Sequence, residues 1–251
     1  MTTAPAARAG QADLHMHSAV GDGLASVRAI LDHVERNTDL DLIAITDHDE
    51  IRGALEAREL AAGGRYRFGV ITGTEITTRQ GHLLAYDVER RYPMLRSLRD
   101  AVREVHDDGG WVVVPHPLSW LTLSAGRIAL CRLLADPDPR VHPDAIELFN
   151  PSVAGRVAHR RAIALNERLG LAPTGGSDAH HLQHVGTART LFPGRTADDF
   201  RRAVRERTTR PLGAFWTIRE HFDGFAEQQW RSMVLAPTQK LTRAFAEMRA
   251  G

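Results

Sequence analysis

One cysteine, Cys131, stands in 251 residues. No internal disulfide and no cluster of thiolates around a metal can therefore form within the chain. Long apolar runs are missing too. The longest, such as residues 111–115 and 42–45, fall far short of the ~18 residues a membrane span requires, and no membrane partner is expected. Excess charge of either sign is also lacking. Lys+Arg 32 against Asp+Glu 31 leaves a net charge of +1, so no overall field draws the chain to polyanions, and nucleic acid is not an expected partner. Residues 1–10 contain no apolar core, unlike a signal peptide, and the cytoplasm is the expected compartment. Lysine is nearly absent: Lys240 is the only one. That rules out a metal pair bridged by a carbamylated lysine in the middle of the chain.

What is present is ordinary in bulk and unusual in detail. Hydrophobic residues make up 43% and charged residues 25%, values of a globular protein that leave no room for a disordered or fibrous reading. The length also suits a single α/β barrel of ~250 residues. Short apolar stretches alternate with helical patterns. Strands are expected near 12–17, 41–46, 69–73, 82–86, 111–114, 145–149 and 171–174. Helices are expected near 24–36, 50–62, 94–108, 127–135 and 157–169. Strands separated by helices of this kind indicate βαβ units and a parallel sheet. Seven or so such units suggest an α/β fold closed into a barrel rather than left open. A shorter strand–turn–helix unit occupies 182–210. We therefore expect a barrel over 1–210 and an extension over 211–251. The extension holds Phe215, Trp216, Phe222, Phe225, Trp230 and Phe245. It reads as a helical stretch packed on the barrel, with a lid or a homo-oligomer contact as the alternatives.

The chain has 13 histidines, and its polar punctuation falls at the C-terminal ends of the strands, where parallel barrels build their active sites. His15 and His17 flank Met16, and the two-residue period of a strand puts both imidazoles on one side. Asp13 lies two residues earlier and is expected to orient an imidazole. Asp22 follows in Gly21-Asp22-Gly23. Asp47 and His48 close the second strand, Glu75 sits just past the third, and His82 opens the next. His116 stands between two prolines. Asp178 and His180 lie in Gly-Gly-Ser-Asp-Ala-His. Each signal alone is weak, because a histidine pair is as common in a core or on a surface. The ensemble is stronger. Imidazoles and carboxylates without thiolates suit Zn, Mn or Fe in an open site rather than a closed structural zinc site. Nine candidate donors exceed what one ion can use, so more than one metal is expected.

In order, Asp-Leu-His-Met-His-Ser, Ile-Thr-Asp-His-Asp, Gly-Thr-Glu, Gly-His-Leu-Leu, Val-Pro-His-Pro and Gly-Ser-Asp-Ala-His resemble the motifs of the PHP (polymerase and histidinol phosphatase) family over residues 12–195. The resemblance implies a distorted (β/α)7 TIM-like barrel with a trinuclear site, filled by two to three divalent ions. By that resemblance His15, His17, Glu75 and Asp178 hold the first metal. Glu75 bridges to a second, completed by His82 and His116. Asp22, His48 and His180 hold the third, and Asp47, like Asp13, supports a ligand. The implied activity is hydrolysis of a phosphate ester by a metal-bridging hydroxide, with no side-chain nucleophile. A small phosphorylated substrate, a nucleotide or a metabolite phosphomonoester, fits the lack of a basic groove. Arg79 and Arg156, with Arg127 and Arg189 behind them, are candidate phosphate contacts because guanidinium offers a planar fork. His181 is a further candidate substrate contact. Two alternatives remain. One is a PHP-type hydrolase of carboxyl or carbamate esters, in which the same nucleophile attacks an acyl carbon. The other is a non-catalytic, metal-stabilised PHP module.

Overall fold

The computed structural model describes residues 8–217. In chain order the elements are β1 (Gly10–Asp13), α1 (Val27–Asn37), β2 (Leu42–Ile43), α2 (Arg52–Ala62), β3 (Gly69–Val70), β4 (Gly73–Thr78), β5 (Gly81–Tyr86) and α3 (Leu98–Asp107). There follow β6 (Trp111–Val114), α4 (Arg127–Leu134), β7 (Ala145–Phe149), α5 (Val153–Leu169), β8 (Ala172–Gly175), β9 (Ala188–Phe192), α6 (Ala197–Glu206) and β10 (Arg210–Gly213). Local chemistry sets the helix starts. The side chains of Ser26, Ser97, Ser152 and Thr196 each accept a backbone N–H in the first turn of α1, α3, α5 and α6, which satisfies donors a helix cannot pair internally. Asp199 completes a capping box with Thr196.

The strands form two five-stranded sheets, ordered β10-β9-β1-β2-β3 and β4-β5-β6-β7-β8. The expectation of a parallel sheet closed into one barrel is met only in part. The fold is mixed α/β, and the described strands do not make one continuous closed ladder. β1, β2 and β3 pair in parallel, as do β6, β7 and β8. By contrast β4–β5, β5–β6, β1–β9 and β9–β10 are antiparallel. The physical reason lies in the connections. Thr78 pairs with Gly81 across a tight turn, and a parallel neighbour would need a crossover of a dozen residues or more. Gly81 is required there twice over. Its φ is +145°, and a Cβ would run into the backbone of Ala125.

Between the sheets, the strand ends approach one another. Isolated parallel bridges join Met16 to Ala179 and His48 to Glu75. On another seam the Thr190 hydroxyl of β9 bonds both the N–H and the C=O of Gly175, each at 2.9 Å. Alternation within strands divides the core. In β6, Trp111 and Val113 join a cluster with Leu14, Leu42, Tyr86, Phe192 and Phe200, whereas Val112 and Val114 pack with α3 and α4. Phe200, Ala203 and Val204 give α6 one apolar stripe at helical spacing, which closes that inner cluster. α1 and α2 cover β2 and the segment after β1 through a third cluster that includes Met16, Ile30, Leu31, Ile43, Ile45 and Ala57. The apolar filling leaves the strand ends at Met16, His48, Glu75 and Ala179 to the polar residues.

Of the extension expected over 211–251, only residues to Thr217 are described, and the helical stretch expected beyond lies outside them. β10 itself pairs with β9. After it, Phe215 stacks on Phe149 with centroids 4.7 Å apart, and Trp216 stacks on His184 at 3.9 Å.

Candidate metal centre

Glu75 is the hub. It lies inside β4 rather than just past a strand, and it is fully buried. Its Oε2 stands 3.3 Å from His15 Nε2, 3.3 Å from His17 Nε2 and 3.4 Å from His48 Nδ1. Its Oε1 stands 2.9 Å from His82 Nδ1 and 3.2 Å from His116 Nε2. A second carboxylate, Asp178, places Oδ1 at 3.3 Å from His15 Nε2 and 3.2 Å from His17 Nε2. Asp22 faces His17 Nδ1 at 3.7 Å and His180 Nε2 at 3.5 Å. The rings of His17 and His180 stack with centroids 4.2 Å apart.

Donor atoms converge in three groups: His15, His17, Glu75 and Asp178; His48, Glu75 and His82; and His17, Asp22, His48 and His180. The structure thus brings together all nine residues singled out in the sequence, with three changes in the grouping, the first being that His17 also joins Asp22, His48 and His180. His48 belongs to two groups. His116 belongs to none of the three and meets the centre through Glu75, while Ser124 Oγ lies 2.9 Å from its Nδ1.

The donor set fits divalent ions on a test internal to the structure. Both ring nitrogens of His17, Nδ1 of His48, Nδ1 of His82 and Oδ1 of Asp22 are buried without a hydrogen-bond partner among the described residues. Buried polar atoms are normally satisfied. These point instead at one another's shared space, as metal ligands do. The electrostatics agree. Burial alone would lower the His17 imidazole, yet the Asp178 and Glu75 carboxylates push it up to about 10. Burial would raise Glu75 and Asp22, but the imidazoles around them hold both well below the usual carboxylate range. His48 goes the other way, with burial pulling it down to about 4 against Glu75 and Asp22.

Two of the nine sit in left-handed backbone: His116 at φ +28° and Asp178 at φ +52°. Such conformations are uncommon outside Gly and Asn/Asp and collect at functional sites. Here each is held by its own N–H: His116 donates to Glu147 Oε2 at 2.9 Å, and Asp178 donates to the His15 carbonyl at 2.8 Å.

The supporting residues differ from the sequence expectation. Asp13 does not orient an imidazole. It accepts the backbone N–H groups of His15, Ser177 and Gly186 at 3.4, 3.0 and 2.8 Å, and so fastens the β1 end to the loop after β8. Asp47 accepts the N–H and hydroxyl of Ser18, both at 2.6 Å. Burial pushes each of these carboxyls up to about 6. The group on His15 Nδ1 is Glu147 Oε1, at 2.9 Å. Glu147 went unread in the sequence, although a lone acid in the apolar run Ala-Ile-Glu-Leu-Phe was a usable signal. Its partner Asn150 donates to Glu147 Oε2 at 3.1 Å and to Asp178 Oδ2 at 3.2 Å.

The candidate substrate contacts are scattered. Arg79 is exposed in the β4–β5 turn. Arg156, exposed on α5, lies over the Phe215 ring at 5.3 Å. Arg189 donates to the Gly186 carbonyl at 3.0 Å. His181 packs edge-on against His184 with centroids 5.6 Å apart. None of the described helices is long and apolar enough to cross a membrane.

Comparison with known proteins adds four facts. Residues 156–209 match the family described as PHP-associated. An uncharacterized protein of Methanocaldococcus jannaschii is 28% identical over 151 residues, which is 56% of this chain and 81% of that one. A phosphoribosyl 1,2-cyclic phosphate 1,2-diphosphodiesterase of Eggerthella lenta is 33% identical over 92 residues, 34% of each chain. Among solved structures, a two-domain protein of Bacteroides vulgatus, described as containing a predicted PHP-like metal-dependent phosphoesterase, superposes with a TM-score of 0.67. It is 22% identical, over 88% of this chain and 70% of that one, a likeness of fold.

Proposed function

We propose that this chain, which matches a PHP-associated family over residues 156–209, is a PHP-type metal-dependent phosphoesterase acting on a small phosphate ester, a nucleotide or a metabolite phosphomonoester. The observation that carries the reading is the sharing of ligands. Glu75 and His48 each serve two of the donor groups, as does His17, so ions bound there would lie close together. In this reading the two sheets, joined at Met16–Ala179 and His48–Glu75, are the distorted (β/α)7 barrel. The ligands are His15, His17, Glu75 and Asp178; His48, Glu75 and His82 with His116; and His17, Asp22, His48 and His180, for two to three ions of Mn, Fe or Zn. Such ions supply a nucleophile from water at neutral pH and polarise a phosphoryl oxygen.

The chain's own residues do the rest. Glu75 and Asp178 bring negative charge against His15 and His17, which without a metal favours protons on those rings; a divalent ion would take the place of those protons. None of the ion pairs at Glu75, Asp22 or Asp178 among the described residues involves an arginine or lysine, so a divalent ion competes there only with protons on the imidazoles. No serine or cysteine nucleophile is needed. The relative from Eggerthella lenta, named for a cyclic phosphodiester, supports a phosphorus centre as the point of attack.

The test is elemental analysis of protein purified without chelator, paired with hydrolysis of an aryl phosphomonoester and an aryl phosphodiester. We expect about two to three equivalents of metal and phosphate release that chelator abolishes. Metal without phosphate release would redirect the reading to carboxyl or carbamate esters. Less than about one equivalent, unrestored by added metal, would overturn it.

A further inference from the structure

We propose that Glu147 is the positioning residue of this centre, a single buried carboxylate that fixes three of its ligands from behind; the proposal rests on the metal-centre reading above. Glu147 is 2% exposed in the middle of β7. Its Oε1 lies 2.9 Å from His15 Nδ1. Its Oε2 accepts the N–H of His116 at 2.9 Å and Asn150 Nδ2 at 3.1 Å. Asn150 in turn donates to Asp178 Oδ2 at 3.2 Å. One side chain thereby ties β1, the loop after β6 and the loop after β8 to β7.

The fold makes room for this contact. A Cβ on Gly176 would stand 2.5 Å from Glu147 Oε1 and 2.6 Å from His15 Cβ, so glycine at 176 lets the carboxylate reach the ring. The His116 backbone, at φ +28°, is held with its N–H on Oε2. No arginine or lysine contacts Glu147 among the described residues. Its three donors are instead an imidazole, a backbone amide and a side-chain amide.

The consequence is a tautomer. With Glu147 accepting at Nδ1, the neutral His15 ring keeps its proton there and turns the Nε2 lone pair toward Glu75 and Asp178, where a metal would bind. Glu147→Gln has a definite effect on this arrangement. Oε2 receives two N–H groups, so the amide oxygen takes that place and the NH2 group falls at Oε1, facing His15 Nδ1. Two donors then oppose each other. The neutral ring is driven to carry its proton on Nε2, the nitrogen the metal needs.

The experiment is zinc binding by competition with a chromophoric chelator, on full-length wild type, Glu147→Gln, His15→Ala and the double variant. We expect Glu147→Gln to bind zinc ~10–100-fold more weakly, and the double variant to be no weaker than His15→Ala alone. The 15N–1H spectrum of the zinc-loaded wild type should place the His15 proton on Nδ1. Glu147→Asp keeps the charge but withdraws it by one methylene; it serves if Gln does not fold, and should weaken zinc binding as well. Undiminished affinity in Glu147→Gln, penalties that add in full in the double variant, or a proton on Nε2 would each overturn the proposal while leaving the metal centre standing. A wild type that takes up no zinc would overturn both.

Discussion

At the scale of single residues, Glu75 concentrates the chemistry, because five imidazoles lie within 3.4 Å of its two oxygens. Glu75→Gln keeps the shape and removes the charge. Two of the three donor groups lose a carboxylate at once, and the His48, Glu75 and His82 group loses the one it has, so metal content should fall in step with activity, and activity should drop by more than ~100-fold. Elemental analysis beside initial rates checks this; a variant with full metal content and full rate would refute it. The contrast with Asp13 and Asp47 shows what a residue pattern can and cannot say. The donors were legible because most stand at or near a strand end in a short motif, and the two-residue period of β-structure fixes which side chains share a face; Glu75, inside β4, and Asp22, in the loop after β1, are the exceptions. Asp13 and Asp47 carry the same local signature, yet they serve backbone N–H groups and Ser18. Burial decides this: a carboxyl sunk among unpaired amides satisfies those first. For Glu147 the lone acid in an apolar strand was a readable signal, but its role was not. Its partner His15 lies 132 positions away, and no local spacing connects the two.

Between elements, the connections explain most of what the strand-and-helix pattern missed. Apolar runs separated by helical stretches were readable as βαβ units, and those units are found at β1–β2, β2–β3, β6–β7 and β7–β8. The hairpin at Arg79-Gln80 was not, because the pattern gives the strands but not their direction; a tight turn decides for antiparallel. A second inter-element tie has a pH signature. His106 on α3 places Nδ1 at 2.7 Å from the Arg140 carbonyl and Nε2 at 2.8 Å from Asp144. Asp144 also accepts the Val112 N–H of β6 at 2.8 Å. Burial lowers this imidazole, but Asp144 outweighs it and the ring is raised above its ordinary value. The folded protein therefore holds the His106 proton to higher pH than the unfolded chain does. The stabilisation is fully present below the ordinary imidazole value of ~6.5 and fades as pH rises through the raised one. His106→Gln should consequently destabilise the protein more at pH 5.5 than at pH 9, by urea titration of both proteins at both values. An equal loss at the two pH values would mean that the ring acts only by packing.

For the whole molecule, the near-neutral charge and the buried centre set the balance. With +1 overall, no long-range field gathers anions, so selection for a phosphate ester falls to the centre itself. That centre gathers most of the buried side-chain polar atoms that lack a hydrogen-bond partner among the described residues: His17 Nδ1 and Nε2, His48 Nδ1, His82 Nδ1 and Asp22 Oδ1. Leaving a buried donor or acceptor without a well-aligned hydrogen bond is costly, and the carboxylates 2.9–3.7 Å from these nitrogens offset that cost only by charge. Divalent ions relieve it only in the folded state, because the donors come from strand ends that are far apart in the unfolded chain. Metal should therefore stabilise folding by mass action, by ~2.7 kcal/mol at a free concentration of 100 Kd. For a chain of this size that is roughly 5–11 °C in Tm, at ~2–4 °C per kcal/mol. Thermal unfolding should shift upward with Mn or Zn concentration and fall back with chelator, and the response should vanish when His15 and His17 are both replaced by alanine. If the doubly substituted protein still shifts with metal, the stabilising ions bind elsewhere. If the wild type does not shift at all, the unpaired nitrogens of His17 are not there for a cation.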